Sequence, residues 1–98
     1  MATLHLLSQS PYEHRLDSAL RLLGPADALL LSGDACHALQ AGSEPLADLH
    51  QLPAGVGLFA LEEDLRARGI EAPPRVTRVD YPAFVALCIR FDKVNSWL

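Results

Sequence analysis

Apolar residues in this chain come in short runs divided by turn residues, and most runs lead into a stretch with helical spacing. The first run, Thr3–Leu7, reads as a buried strand. Ser10-Pro11-Tyr12-Glu13 then has the form of a helix start. The Ser10 hydroxyl can cap the Glu13 amide, the Glu13 carboxylate can return to the Ser10 amide, and the proline sits where its missing N–H costs nothing. Leu16, Ala19, Leu20 and Leu23 follow at i, i+3, i+4 and i+7, and Gly24-Pro25 stops that helix. Residues 28–31 are a second strand. Gly33 turns the chain, and Asp34 is the expected cap of a short helix over residues 35–41, closed by Gly42. Residues 43–55 are polar and carry two prolines, with room for a helical piece at 46–51. Residues 56–61 are a third strand. Glu62, Glu63 and Asp64 fill the first turn of the next helix, Arg66 and Arg68 its last, and Gly69 closes it, so every charge suits the helix dipole. Beyond the stiff Ala72-Pro73-Pro74, residues 75–79 form a fourth strand, short and polar enough for an edge.

The final helix departs from the one-sided pattern. Asp80 caps it, Pro82 sits in its tolerant first turn, and no charge occurs from Tyr81 to Ile89. Phe84, Leu87, Cys88 and Phe91 make one apolar stripe, while Val85 and Ile89 make a second, displaced round the axis. A surface helix of a small monomer needs one such stripe, because its other side meets water. The second stripe therefore points to a partner. Tyr81 and Trp97, of types enriched at the centres of subunit contacts, join Phe84, Val85 and Ile89 as expected interface residues.

Strand then helix, four times over with short connections, predicts an α/β fold. The expected form is a doubly wound, mainly parallel sheet of four to five strands with helices on both faces. The 98 residues allow one domain, spanning 1–98. The chemistry of such sheets lies beyond the carboxyl ends of the strands, here residues 8–13, 32–37, 61–64 and 80–82.

Charge and composition narrow the function classes. The formal charge is −4, with a single lysine, Lys93, and seven scattered arginines, so autonomous nucleic-acid binding is not expected. No window approaches the ~20 apolar residues of a membrane span. The first residues lack the basic region of an export signal. Cys36 and Cys88 form no C-x-x-C and read as reduced thiols, and the chain reads as cytoplasmic.

Candidate chemistry is sparse. Cys36 falls at a helix start on the functional edge, where a dipole can lower a thiol pKa, although Asp34 nearby opposes that. It is the one catalytic candidate, and it also fits a small side chain packed inward. Cys88 lies on the apolar stripe and reads as core. His5, His14, His37 and His50 never fall at a ligand spacing, so no metal site is expected, although His14 and His37 could meet above the sheet. Glu62-Glu63-Asp64 has a sufficient reason as a helix first turn. Neither a glycine-rich phosphate loop nor a G-x-S-x-G elbow occurs, and no cofactor is expected. A receiver-like or small-ligand module would need acidic groups lining a pocket at the strand ends, and no Asp pair follows the first strand.

Four phrases, in order, carry a resemblance. They are Leu-His-Leu-Leu-Ser-Gln-Ser-Pro-Tyr at 4–12; 27–33 followed by Ala-Cys-His-Ala-Leu; 59–70 with its D-L-x-A-R-G; and 79–87 with the closing Lys-Val-Asn-Ser-Trp-Leu. Together they resemble the DsrH/TusB family over essentially the whole chain. The resemblance implies a DsrE/F/H-type fold and a cytoplasmic heterohexamer with two paralogous subunits, of TusC/DsrF and TusD/DsrE type. It implies sulfur relay toward 2-thiolation of the tRNA wobble uridine, through a DsrC/TusE-like acceptor, or, in the Dsr branch, sulfur oxidation. The transferring cysteine in such complexes belongs to the D/E-type subunit, which makes this chain a non-catalytic subunit. Some family members carry a cysteine in the first helix, where Ala19 stands here. The alternative makes Cys36 itself a persulfide carrier.

Overall fold

The computed structural model describes residues 2–12 and 15–97, without the side chains of Arg15 and Asp17. The elements are β1 (Thr3–Leu7), α1 (Arg15–Leu22), β2 (Ala28–Leu31), a 3-10 helix (Gly33–Leu39) and α2 (Glu44–His50). They continue with β3 (Gly57–Leu61), α3 (Glu62–Ala67), β4 (Thr77–Val79), α4 (Tyr81–Arg90) and β5 (Lys93–Trp97). Among the described residues the sheet has five strands in the order β4-β3-β2-β1-β5. Every pairing is parallel. The expected doubly wound parallel sheet is what forms.

The order of the strands decides which face each helix covers. From β1 through β4 every step moves one place in the same direction, so right-handed crossovers put all those connections on one face. The return from β4 to β5 crosses the sheet the other way, which puts α4 alone on the opposite face. The core divides accordingly. Leu7, Leu29, Leu31, Leu58 and Ala60 face α1, the 3-10 helix, α2 and α3. Leu4, Ala28, Leu30, Leu61 and Val79 face α4. The run of one alanine and three leucines in β2 is buried throughout because helices cover both its faces. Gly57 leaves room at the start of β3: a Cβ there would stand 2.9 Å from the Phe59 ring and 3.1 Å from the Ala28 Cβ, so a larger residue would force a neighbour to move.

Four local expectations are corrected. Asp34 does not cap a helix over 35–41. The segment is a 3-10 helix from Gly33, its N-cap Ser32 makes no side-chain bond, and the Asp34 carboxylate is turned to Arg68 at 3.1 Å. The helical piece expected at 46–51 starts earlier, at Glu44, because Ser43 Oγ accepts the Leu46 amide and Pro45 occupies the first turn. The fourth strand loses residues 75 and 76. Arg75 is drawn into the loop, where its guanidinium donates to the carbonyls of Leu49, His50, Leu52 and Pro53. The closing tail, given no element by its polar pattern, pairs with β1 as β5. Ser10 Oγ accepts the Tyr12 amide at 3.3 Å; the Glu13 half of the expected capping box, and the His14–His37 approach, lie outside the described residues.

Candidate functional site

The Asp80 carboxylate accepts the Ala83 amide at 2.9 Å and Pro82 lies in the first turn, so α4 starts where the sequence signals it. Successive residues then turn about 100° round the axis. Ala83, Phe84, Leu87, Cys88 and Phe91 fall on the side that meets the sheet. Tyr81, Pro82, Val85, Ala86 and Ile89 fall on the other and are exposed. Val85 is 54% exposed and Ile89 80%, against 6% for Leu87. Arg90, at the far end, lies over the Phe91 ring at 5.7 Å. The outward side of α4 is thus an uncharged strip a little over two turns long.

The five expected interface residues do not share one surface. Tyr81, Val85 and Ile89 do. Phe84 belongs by its helical phase to the inward stripe and packs in the protein's own core. Trp97 pairs in register with Leu7 and so lies on the opposite sheet face from α4, half-buried against the larger cluster. Its indole N–H donates to His5 Nδ1 at 3.1 Å. The ring proton of His5 must then sit on Nε2, which faces Asp27 Oδ2 at 3.5 Å, long for a hydrogen bond. Asp27 is itself buried and accepts the Thr3 and Gly24 amides at 2.9 Å each. Burial raises the Asp27 pKa, but the bonds from Gly24 and Thr3 and the His5 contact outweigh it, leaving the carboxyl below its ordinary value.

Cys36 is fully buried on the 3-10 helix, with its thiol directed at the Leu31 carbonyl, 3.7 Å away. Burial, seconded by the Asp64 carboxylate and then opposed by Arg68, pushes its pKa up to about 11. A persulfide carrier needs an accessible thiolate, and this environment favours the buried thiol. Cys36 and Cys88 are free and lie on opposite faces of the sheet. Among the described residues no group of three His, Cys, Asp or Glu could hold a metal ion. No helix among them is long and apolar enough to cross a membrane. A cavity of about 460 Å³ lies between the 3-10 helix, α2 and the α3–β4 connector, lined by Leu39, Leu46, Ile70 and the prolines 73 and 74. Its lining is mixed, with Arg68 and Glu71 beside the apolar residues, and is not the cluster of acidic groups that a receiver-like module would need.

The profile of the family described as DsrH like protein matches residues 9–94. This chain belongs to the DsrH family. Relatives named Protein TusB extend that match across nearly the full length. The protein from Erwinia tasmaniensis is 42% identical over 96 residues, covering 96% of this chain and 99% of its own. That from Serratia proteamaculans is 38% identical over the same shares. The crystal structure of the ychN protein from E. coli superposes with a TM-score of 0.80 at 22% identity, covering 99% of this chain and all of that one. That last likeness is one of fold.

Several residues that shape this DsrH-family chain carry no signal in a linear reading. His5, Asp27 and Arg75 look like ordinary polar positions, and their partners lie far away in sequence. Arg68, read only as a helix-end charge, reaches across to Asp34 and donates to the Asp64 carbonyl.

Proposed function

We propose that this chain is a non-catalytic subunit of a cytoplasmic sulfur-relay complex serving 2-thiolation of the tRNA wobble uridine. It docks onto two paralogous subunits, and the outward strip of α4 is its main contact. The persulfide is carried by a partner and handed to a DsrC/TusE-like acceptor. One observation carries this reading: Tyr81, Val85 and Ile89 stand on the water side of a helix whose sheet-facing side is already filled. Such a strip is stabilised by burial against another apolar surface, at about 25 cal/mol per Å² removed from water. Membership of the DsrH family and the TusB name of its relatives support the thiolation branch. The buried, high-pKa thiol of Cys36 supports the non-catalytic role.

The test is co-expression with the two proposed paralogous subunits, of TusC/DsrF and TusD/DsrE type. A Val85→Asp/Ile89→Asp variant should fold, fail to co-purify with them, and leave tRNA without the 2-thio group in cells lacking the wild-type copy. Undiminished co-purification would refute the docking assignment, and normal thiolation in cells lacking the protein altogether would refute the pathway.

A further inference from the structure

We propose that His5 is a proton-operated latch on the C-terminal strand. Uncharged, it holds the Trp97 indole and with it β5; protonated, it pairs with Asp27 and lets Trp97 go. The inference does not depend on the sulfur-relay reading.

The geometry gives one imidazole two competing neighbours. His5 is only 5% exposed. On one side its Nδ1 lone pair accepts the Trp97 N–H at 3.1 Å, with the two rings tilted by 34°. On the other, Nε2 has no partner nearer than the Asp27 carboxylate at 3.5 Å. That carboxylate is anchored by two backbone amides and is held in its charged form. In the uncharged state, therefore, the Trp97 bond is well made and the Asp27 contact is poor. A proton added at Nδ1 inverts this. Two N–H donors then face each other across the Trp97 contact, while the imidazolium gains an anion on its far side. Among the described residues, the charged groups that face the ring are Asp27, on the loop before β2, and Lys93, which lines the same surface depression from β5. The helix α1 adds Leu16, Leu20 and Leu23 to the cluster that holds Trp97.

Trp97 is the strand's one inward side chain, held by this bond and by its packing against the larger cluster. Lys93, Val94, Asn95 and Ser96 are all exposed, and only Trp97 turns into the core. Loss of the indole bond leaves β5 held by its backbone ladder to β1, by the Asp92–Ala2 contacts at its start and by the apolar packing of the half-buried Trp97 ring. Segments with so little buried area open at low cost. Protonation would thus free the outer edge of the sheet while the other four strands stay paired.

Trp97 is the sole tryptophan, so its fluorescence reports the latch directly. The full-length chain is titrated from about pH 8 to about pH 5, the range over which histidine changes charge. The emission should move to the red with far-UV circular dichroism unchanged. Amide exchange in Lys93–Trp97, corrected for its intrinsic pH dependence, should accelerate about tenfold, the factor carried by one lost hydrogen bond. His5→Gln, whose carbonyl can accept the indole N–H but does not titrate, should stay flat. Asp27→Asn, which removes the anion that rewards protonation, should shift the transition to lower pH and serves as the test if His5→Gln fails to fold. The latch is refuted by a flat wild-type titration, by the same transition in His5→Gln, by an unmoved midpoint in Asp27→Asn, or by an emission change that coincides with loss of helical signal.

Discussion

The Asp64 carboxylate accepts the amide proton of Gly33 at 2.9 Å, joining the first turn of α3 to the head of the 3-10 helix. Gly33 adopts a φ of +52°, a left-handed conformation that places its amide toward α3 and that other residues reach only with strain. A backbone donor at this edge of the sheet, which in other α/β proteins can meet an anionic ligand, is here closed by the protein's own carboxylate. The same carboxylate helps to keep the neighbouring Cys36 protonated.

Replacing Asp64 with Asn keeps an acceptor for Gly33 and removes the charge. The Cys36 pKa should fall from about 11 yet stay above its ordinary 9.0, because burial, the larger cause, is untouched. Rates of alkylation against pH, read by mass spectrometry on Cys36 alone, check this. Cys36→Ser should leave assembly and tRNA thiolation intact; loss of thiolation with assembly intact would restore the carrier reading.

Stability should fall at alkaline pH on account of Cys36. A thiol whose folded pKa is raised favours the native state below its unfolded pKa near 9.0. That contribution is lost as pH climbs through about 11. In urea titrations at several pH values, Cys36→Ala should flatten the alkaline limb while lowering stability overall.

Asp27 predicts the opposite limb. Its folded pKa lies below the ordinary 3.8, so its contribution is present above that value and is lost as pH falls below it. At neutral pH, Asp27→Ala should cost about 1–3 kcal/mol, because the partly buried amides of Thr3 and Gly24 lose their acceptor. Thermal denaturation at neutral and acid pH should show the gap between the two proteins closing as the solution is acidified.

Arg75 should matter more than its place in a loop suggests. Its guanidinium gathers carbonyls at the end of α2, the shortest contacts being 2.7 Å to Leu52 and 2.6 Å to Pro53. Arg75→Ala should cost about 2 kcal/mol, the scale of hydrogen bonds to a charged group. Arg75→Lys should recover only part of that, since an ammonium lacks the planar fork. Equilibrium unfolding in urea measures both.

The two sides of α4 should separate cleanly in the isolated chain. Leu87→Ala should cost about 2–5 kcal/mol, as for other buried leucines. Val85→Ser and Ile89→Ser should stay within about 0.5 kcal/mol of wild type. The same urea measurements decide it, and a large loss at Ile89 would mean that the strip serves the fold.

Much of the architecture was readable from local signals. Asp80 and Pro82 mark the start of α4 because a cap acts on amides two or three residues away. The two stripes of that helix are readable because 100° per residue assigns each side chain a face without knowledge of the neighbours. The strip at Tyr81, Val85 and Ile89 follows from this, whereas counting Phe84 with it ignored its phase. Trp97 lies apart from the strip for a different cause. Its face is set by strand alternation, and its tail had no apolar pattern to reveal a strand.

What the linear order of residues determined is the succession of strands and helices and the surplus of apolar surface on the last helix, since both arise from interactions within a few positions. Tertiary structure alone decided that residues 93–97 join the sheet, that Arg75 leaves it, that Cys36 is enclosed beside carboxylates, and that His5 stands between Trp97 and Asp27. The Trp97–His5 bond spans 92 positions and those of Arg75 at least 22. Such pairings exist only once the parallel sheet has brought distant ends together, because no propensity of either residue encodes the other.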